Sequence, residues 1–156
     1  MSNRWIVSAF AAVFVITALA PADAGAPRRF RVRFHAVQTG GPVEDPARCA
    51  PPTEVVFLEG DGGGGGLGPA TLSASHCIID DPDDPDFTDG LMTITARRGE
   101  IFLSYSGTDT AGVLEGVFTI TGGTGDYAGA SGGGTLSGVG SATAQEGSGV
   151  LDGWIE

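Results

Sequence analysis

Six aspartates crowd one stretch of ten residues: Asp80, Asp81, Asp83, Asp84, Asp86 and Asp89, with Pro82 and Pro85 keeping the chain extended between them. Clustered carboxylates suit a hard cation such as calcium, which takes roughly six to eight oxygen ligands. Asp81, Asp83, Asp84 and Asp86 are therefore the candidate metal ligands, and calcium is the one cofactor the sequence raises. The spacing is not that of a helix-loop-helix calcium site, because no glycine or distal glutamate falls in register. A solvated loop of like charges is the plainer outcome for such a block. The side chains that ordinarily exchange protons near neutral pH are His35 and His76 alone. His35 alternates with three arginines, which suits a surface or lumen position, and His76 adjoins Cys77.

Glycine patterns imitate three further chemistries, and each imitation fails on its sequence context. Gly123-Thr124-Gly125-Asp126-Tyr127-Ala128 matches a dinucleotide fingerprint, which needs a helix next to hold the pyrophosphate. The chain continues Gly129-Ala130-Ser131-Gly132-Gly133-Gly134, which cannot be that helix. Gly129-Ala130-Ser131-Gly132-Gly133 matches a nucleophile elbow, but no histidine lies beyond His76 to act as base. Gly122-Gly123-Thr124-Gly125-Asp126 approaches a calcium-binding nonapeptide, yet nothing repeats it. Paired carboxylates such as Glu115 and Asp126 have no meaning until a fold places them. No reaction can be read from these residues.

The two cysteines, Cys49 and Cys77, bear on the compartment. A zinc site built on them with His76 would need further ligands, and His35 is the one other histidine. In an oxidising compartment two lone thiols pair, and a disulfide is the expectation. Export is expected from the other end of the chain. Arg4 precedes an apolar run of about sixteen residues, short of a bilayer span, and Ala22-Asp23-Ala24 supplies the small-x-small cleavage pattern. Residues 1–24 read as a signal peptide and residues 25–156 as a single domain, secreted or periplasmic, with no membrane attachment after cleavage. The net charge of −11 argues against nucleic acid and anionic lipid as partners.

The elements that must carry these residues are strands. With 27 glycines, long helices are excluded, and the segments between glycines alternate with period two. Residues 29–36 set Phe30, Val32, Phe34 and Ala36 on one face and Arg29, Arg31, Arg33 and His35 on the other. Residues 54–59, 70–79, 91–97, 101–106, 113–121, 134–138 and 148–155 complete a set of about eight strands. Residues 40–52, with Pro42, Pro46, Pro51 and Pro52, read as a long loop, and the five glycines at 62–66 as a flexible tip. The fold class is all-β, an antiparallel barrel of about eight strands, with a β-sandwich as the alternative.

The run Gly116-Val117-Phe118-Thr119-Ile120-Thr121-Gly122-Gly123-Thr124-Gly125-Asp126-Tyr127-Ala128-Gly129-Ala130-Ser131-Gly132 resembles the strand-turn-strand of the allene oxide cyclase-like barrel superfamily. Dirigent proteins carry a related turn. Gly122, Gly123, Gly125, Tyr127 and Gly129 are its marks here, the glycines permitting positive φ and Tyr127 able to fold over the barrel mouth. A looser likeness, through residues 75–77, 87–90 and 98–100, is to secreted bacterial members. The resemblance implies an eight-stranded barrel with an apolar lumen. In plants such barrels isomerise an unsaturated fatty-acid epoxide or steer radical coupling of phenols, often as trimers. No catalytic residue of either group transfers onto this sequence.

Three functions emerge as expectations. The first is a barrel that holds a small apolar or phenolic ligand, alone or as a homo-oligomer. The second is a cofactor-free cyclase or isomerase, less favoured because no catalytic constellation stands out. The third is a surface or structural protein stabilised by calcium at the acidic loop. An open lumen favours the first two, whereas a lumen filled by Met92, Ile94, Phe118 and Ile120 favours a plain scaffold.

Overall fold

The period-two alternation is realised in eight antiparallel strands that bury Phe30, Val32, Ile94, Ile101, Leu103 and Leu151 inward, although Phe57, Val117, Val139 and Trp154 face outward. The computed structural model describes residues 26–64, 66–79, 86–141 and 145–156. The expected leader and the acidic candidates Asp81, Asp83 and Asp84 lie outside them. The strands are β1 (Arg28–Val43), β2 (Glu54–Gly63), β3 (Pro69–Ile78), β4 (Asp86–Ala96), β5 (Gly99–Thr110), β6 (Val113–Gly123), β7 (Gly132–Ser141) and β8 (Glu146–Ile155). Each pairs with the next, and β8 returns to pair with β1 from Arg28↔Ile155 to Val37↔Glu146. The sheet is therefore a closed barrel, not a sandwich, and closure leaves no exposed edge. A short 3-10 turn, Gly125–Tyr127, bridges β6 and β7. Among the described residues no helix is long and apolar enough to cross a membrane.

Two segments expected to be irregular are partly strand. β1 continues through Gly40 to Val43, opposite β2, by shifting register after Gln38 and again after Gly40. Those shifts let a Gly- and Pro-bearing stretch stay in the ladder. Gly62 and Gly63 likewise pair with Phe34 and Arg33. A side chain at Gly62 would meet the Arg33 carbonyl at 2.5 Å, so glycine is what permits this close approach.

The barrel interior has two unlike halves. The half holding the chain ends, the β2–β3 and β4–β5 turns and the 3-10 turn is filled by Phe30, Val32, Ile94, Ile101, Ile120 and Leu151, with further apolar neighbours. Leu67 and Tyr127 close it from the turns. Phe30 and Phe118 meet there with ring centroids 5.7 Å apart. Each such side chain contributes roughly 1.5 to 3 kcal/mol when fully buried. The opposite half, towards the β1–β2 connection and the β5–β6 turn, is hollow.

Outside the wall, the β1–β2 connection folds down onto β3. Cys49 and Cys77 form the expected disulfide across 28 residues and bury with Val55 against the outer face. Closing a loop of that length stabilises the fold by about 3.5 kcal/mol in the chain-entropy model.

Candidate functional site

The hollow half is a cavity of about 530 Å³. Its wall is mainly apolar, with Phe34, Leu58, Leu72, Met92, Leu114 and Leu136 among the lining side chains. Strand alternation decides which polar groups join them. On β3 the even residues Ala70, Leu72, Ala74, His76 and Ile78 turn inward, while Cys77 turns outward to its disulfide. His76 is thus forced into the lumen by the same register that puts its neighbour outside. On β5 the sequence Ile101, Leu103, Tyr105 is buried at alternate positions, which places Tyr105 facing His76.

A β-bulge in β4 adjusts this meeting. Ser75 pairs with Leu91 and Cys77 with Thr88, so His76 alone faces the two residues Asp89 and Gly90. Asp89 has a positive φ of 49°, a conformation aspartate tolerates better than most residues. Gly90 is required for space: a Cβ there would lie 2.7 Å from the Tyr105 ring. Gly107 does the same for Phe87, whose ring tip would be 2.7 Å from an added Cβ. Two glycines therefore make room for two lumen aromatics.

His76 Nδ1 and Tyr105 Oη are hydrogen-bonded at 2.9 Å. The Phe87 ring stands 5.3 Å from the His76 ring and 5.9 Å from Tyr105, closing an aromatic corner. Burial, aided by the nearby Arg48 charge, holds the His76 pKa down to about 4. Burial pushes the Tyr105 hydroxyl well above the ordinary tyrosine range, against a smaller opposing effect of Arg48. Both groups are neutral at pH 7. A neutral imidazole and a neutral phenol share one bond and keep one donor and one acceptor for a guest.

At the mouth the lining becomes polar. Gln38 donates from Nε2 to the Gly41 carbonyl at 2.7 Å, and Asp109 Oδ1 accepts the Gly112 N–H at 2.9 Å. Asp86 and Glu146 also reach the rim, and among the described residues no arginine lines the cavity.

The other residues singled out by sequence scatter. Asp86 is exposed at the rim, and among the described residues no three His, Cys, Asp or Glu side chains gather as a metal set. His35 points outside, 3.5 Å from Glu146. Glu115 is exposed on β6, while Asp126 sits at the closed end with Arg98 at 3.1 Å. Of the hairpin glycines, Gly122, Gly125 and Gly129 have φ of 153°, 58° and 78°. Gly123 would bring a Cβ within 2.4 Å of the Glu100 carbonyl. Tyr127 packs into the closed end, away from the open mouth. Met92, Ile94, Phe118 and Ile120 are all buried, yet they fill only part of the lumen. Tyr105, Phe87 and Arg48 are not legible in the sequence as site residues, although alternation away from a bridged Cys77 points His76 inward.

No protein-family model matches the chain, and no curated protein is similar to it at a significant level. Among solved structures the chain is similar to pyocyanin demethylase, at 21% identity over 80% of this chain and 98% of that one, with a TM-score of 0.49.

Proposed function

We propose that the hollow half of the barrel binds one small, uncharged, largely apolar molecule bearing a hydroxyl or carbonyl group, a phenol being the simplest fit. The observation that carries this is the cavity of about 530 Å³, apolar except for a neutral His76–Tyr105 pair set into its wall and a polar rim. Ligand sites commonly span about 300 to 1,000 Å³, with a few polar groups fixing orientation. The carboxylates at the rim disfavour anionic guests, fatty acids included. Binding is favoured over turnover because a histidine held at about pKa 4 is a weak base at neutral pH. The closed eight-strand barrel and the Gly122–Gly132 hairpin support kinship with the allene oxide cyclase-like barrels. The disulfide supports folding in an oxidising compartment after export.

A thermal melt of the purified protein with 1-naphthol, naphthalene and octanoate tests the reading, each with and without calcium. Near-saturating 1-naphthol should raise Tm by about 5 to 10 °C, and octanoate should not. Absence of a shift with both neutral compounds would remove the binding reading. A rise with calcium alone would favour a cation-stabilised surface protein instead.

A further inference from the structure

A half-buried cation, Arg48, lies just outside the aromatic corner. Arg48, on the β1–β2 connection beside Cys49, reaches across the wall where β4 bulges. Its Nη2 donates to the Ser75 carbonyl at 3.2 Å and to the Asp89 carbonyl, and Nη1 lies 3.4 Å from Cys77 Sγ. Its Nε is buried without a hydrogen-bond partner. A bulge interrupts the ladder, and carbonyls beside it need donors from elsewhere. The guanidinium supplies both donors from one nitrogen, Nη2, whose N–H groups are fixed in the guanidinium plane.

The residues on either side of those carbonyls are the lumen pair's own supports. Ser75 precedes His76, and Asp89 precedes Gly90, whose missing side chain admits the Tyr105 ring. Tyr105 lines both the lumen cavity and an open outer groove of about 480 Å³ that Arg48 also borders. The wall is one side chain thick at this point.

We propose that Arg48, clamped to the outer wall by the Cys49–Cys77 disulfide, is a positioning residue that sets the geometry of the His76–Tyr105 pair from outside the barrel. The proposal rests on reading that pair as the ligand's polar anchor. Loss of these two hydrogen bonds frees the Ser75 and Asp89 carbonyls, lets the bulge relax, and misaligns the anchor without touching the apolar walls. Loss of the disulfide releases the segment that carries Arg48 and has the same consequence. The guanidinium charge also opposes protonation of His76, in the same direction as burial.

The test combines a His76 ring titration by NMR with binding of 1-naphthol and naphthalene, which differ in one hydroxyl. Arg48→Gln should move the His76 ring resonances, raise its pKa by about half a pH unit or more, and cut the preference for 1-naphthol over naphthalene about five-fold. Arg48→Lys should keep the low pKa, because the charge remains, yet lose the preference, because a flexible lysine stem does not hold its N–H groups in the fixed plane of the guanidinium. The double variant Cys49→Ala/Cys77→Ala should behave as Arg48→Gln does. An unchanged titration and unchanged preference in folded Arg48→Gln would overturn the proposal. If the parent protein binds neither naphthalene nor 1-naphthol, the binding reading fails, while the His76 titration still decides whether Arg48 sets the pair.

Discussion

The two halves of this barrel are built from the same eight strands and differ in what crosses the axis. At the closed end Phe30, Ile101, Phe118 and Leu151 meet in the middle, and Leu67 and Tyr127 fold in from the turns. At the open end the inward positions include Ala36, Ala74, Gly140 and Gly147, too small to meet across the lumen. Side-chain size at alternate positions thus divides one barrel into a stabilising half and a receptive half. An eight-stranded barrel is near the diameter where either filling is available.

The contrast can be broken most severely by truncation. Phe30→Ala removes a ring that is 1% exposed and packed on Phe118, and should cost about 3 to 5 kcal/mol. Leu58→Ala, on the cavity wall, should cost less than about 1 kcal/mol, because that side chain already faces space. Urea unfolding of both variants measures the difference. Equal losses would mean that the open half is as tightly packed as the closed half.

A second effect, nearly as large, belongs to the open half alone. His76 has a folded pKa of about 4 against an ordinary value near 6.5. Between those values the unfolded chain binds a proton that the folded chain refuses. Stability therefore falls as pH drops through 6.5 towards 4, by roughly 3 kcal/mol at full extent, and is restored above 6.5. The dependence should disappear in His76→Leu, measured as unfolding free energy against pH. Asp152, which Arg29 holds below the usual range, adds its own loss only at lower pH. A slope that persists between pH 5 and 6.5 in His76→Leu would assign the effect elsewhere.

Legibility from sequence differs between the halves in the same way. Alternation over residues 29–36 announces which face of β1 lies inside, and Phe30, Val32 and Ala36 are buried as that pattern requires. The two cysteines announce their own bond. The closed half is legible because burial of large apolar side chains is a local pattern repeated strand after strand. The site is not, because it depends on register between strands. Tyr105 reads as one more aromatic in a strand until β5 is set beside β4 at Gly90. Arg48 reads as a loop arginine until the disulfide brings it to the bulge. His76, by contrast, is visible as a histidine but obscured by its neighbour, whose disulfide offers a simpler explanation for both. The hairpin motif marks the closed end, where Tyr127 acts as a plug, and so points away from the mouth.

The smallest predicted effect sharpens the contrast most, since it concerns one oxygen atom. Tyr105→Phe keeps the ring over Gly90 and the aromatic corner with Phe87, and removes only the hydroxyl bonded to His76 Nδ1. The loss should be about 1 kcal/mol in stability, since one neutral buried hydrogen bond is removed and one imidazole nitrogen is left to find a partner. Binding should respond selectively. Naphthalene, which fills space and makes no hydrogen bond, should bind Tyr105→Phe as it binds the parent protein. 1-Naphthol should weaken about five-fold, the worth of one hydrogen bond. The same removal at the tyrosine that plugs the closed end, Tyr127→Phe, should leave both affinities alone. Its buried hydroxyl has no hydrogen-bond partner, so stability should hold or rise slightly. If Tyr105→Phe and Tyr127→Phe behave alike towards 1-naphthol, the two ends of the barrel do not differ in recognition, whatever their difference in packing.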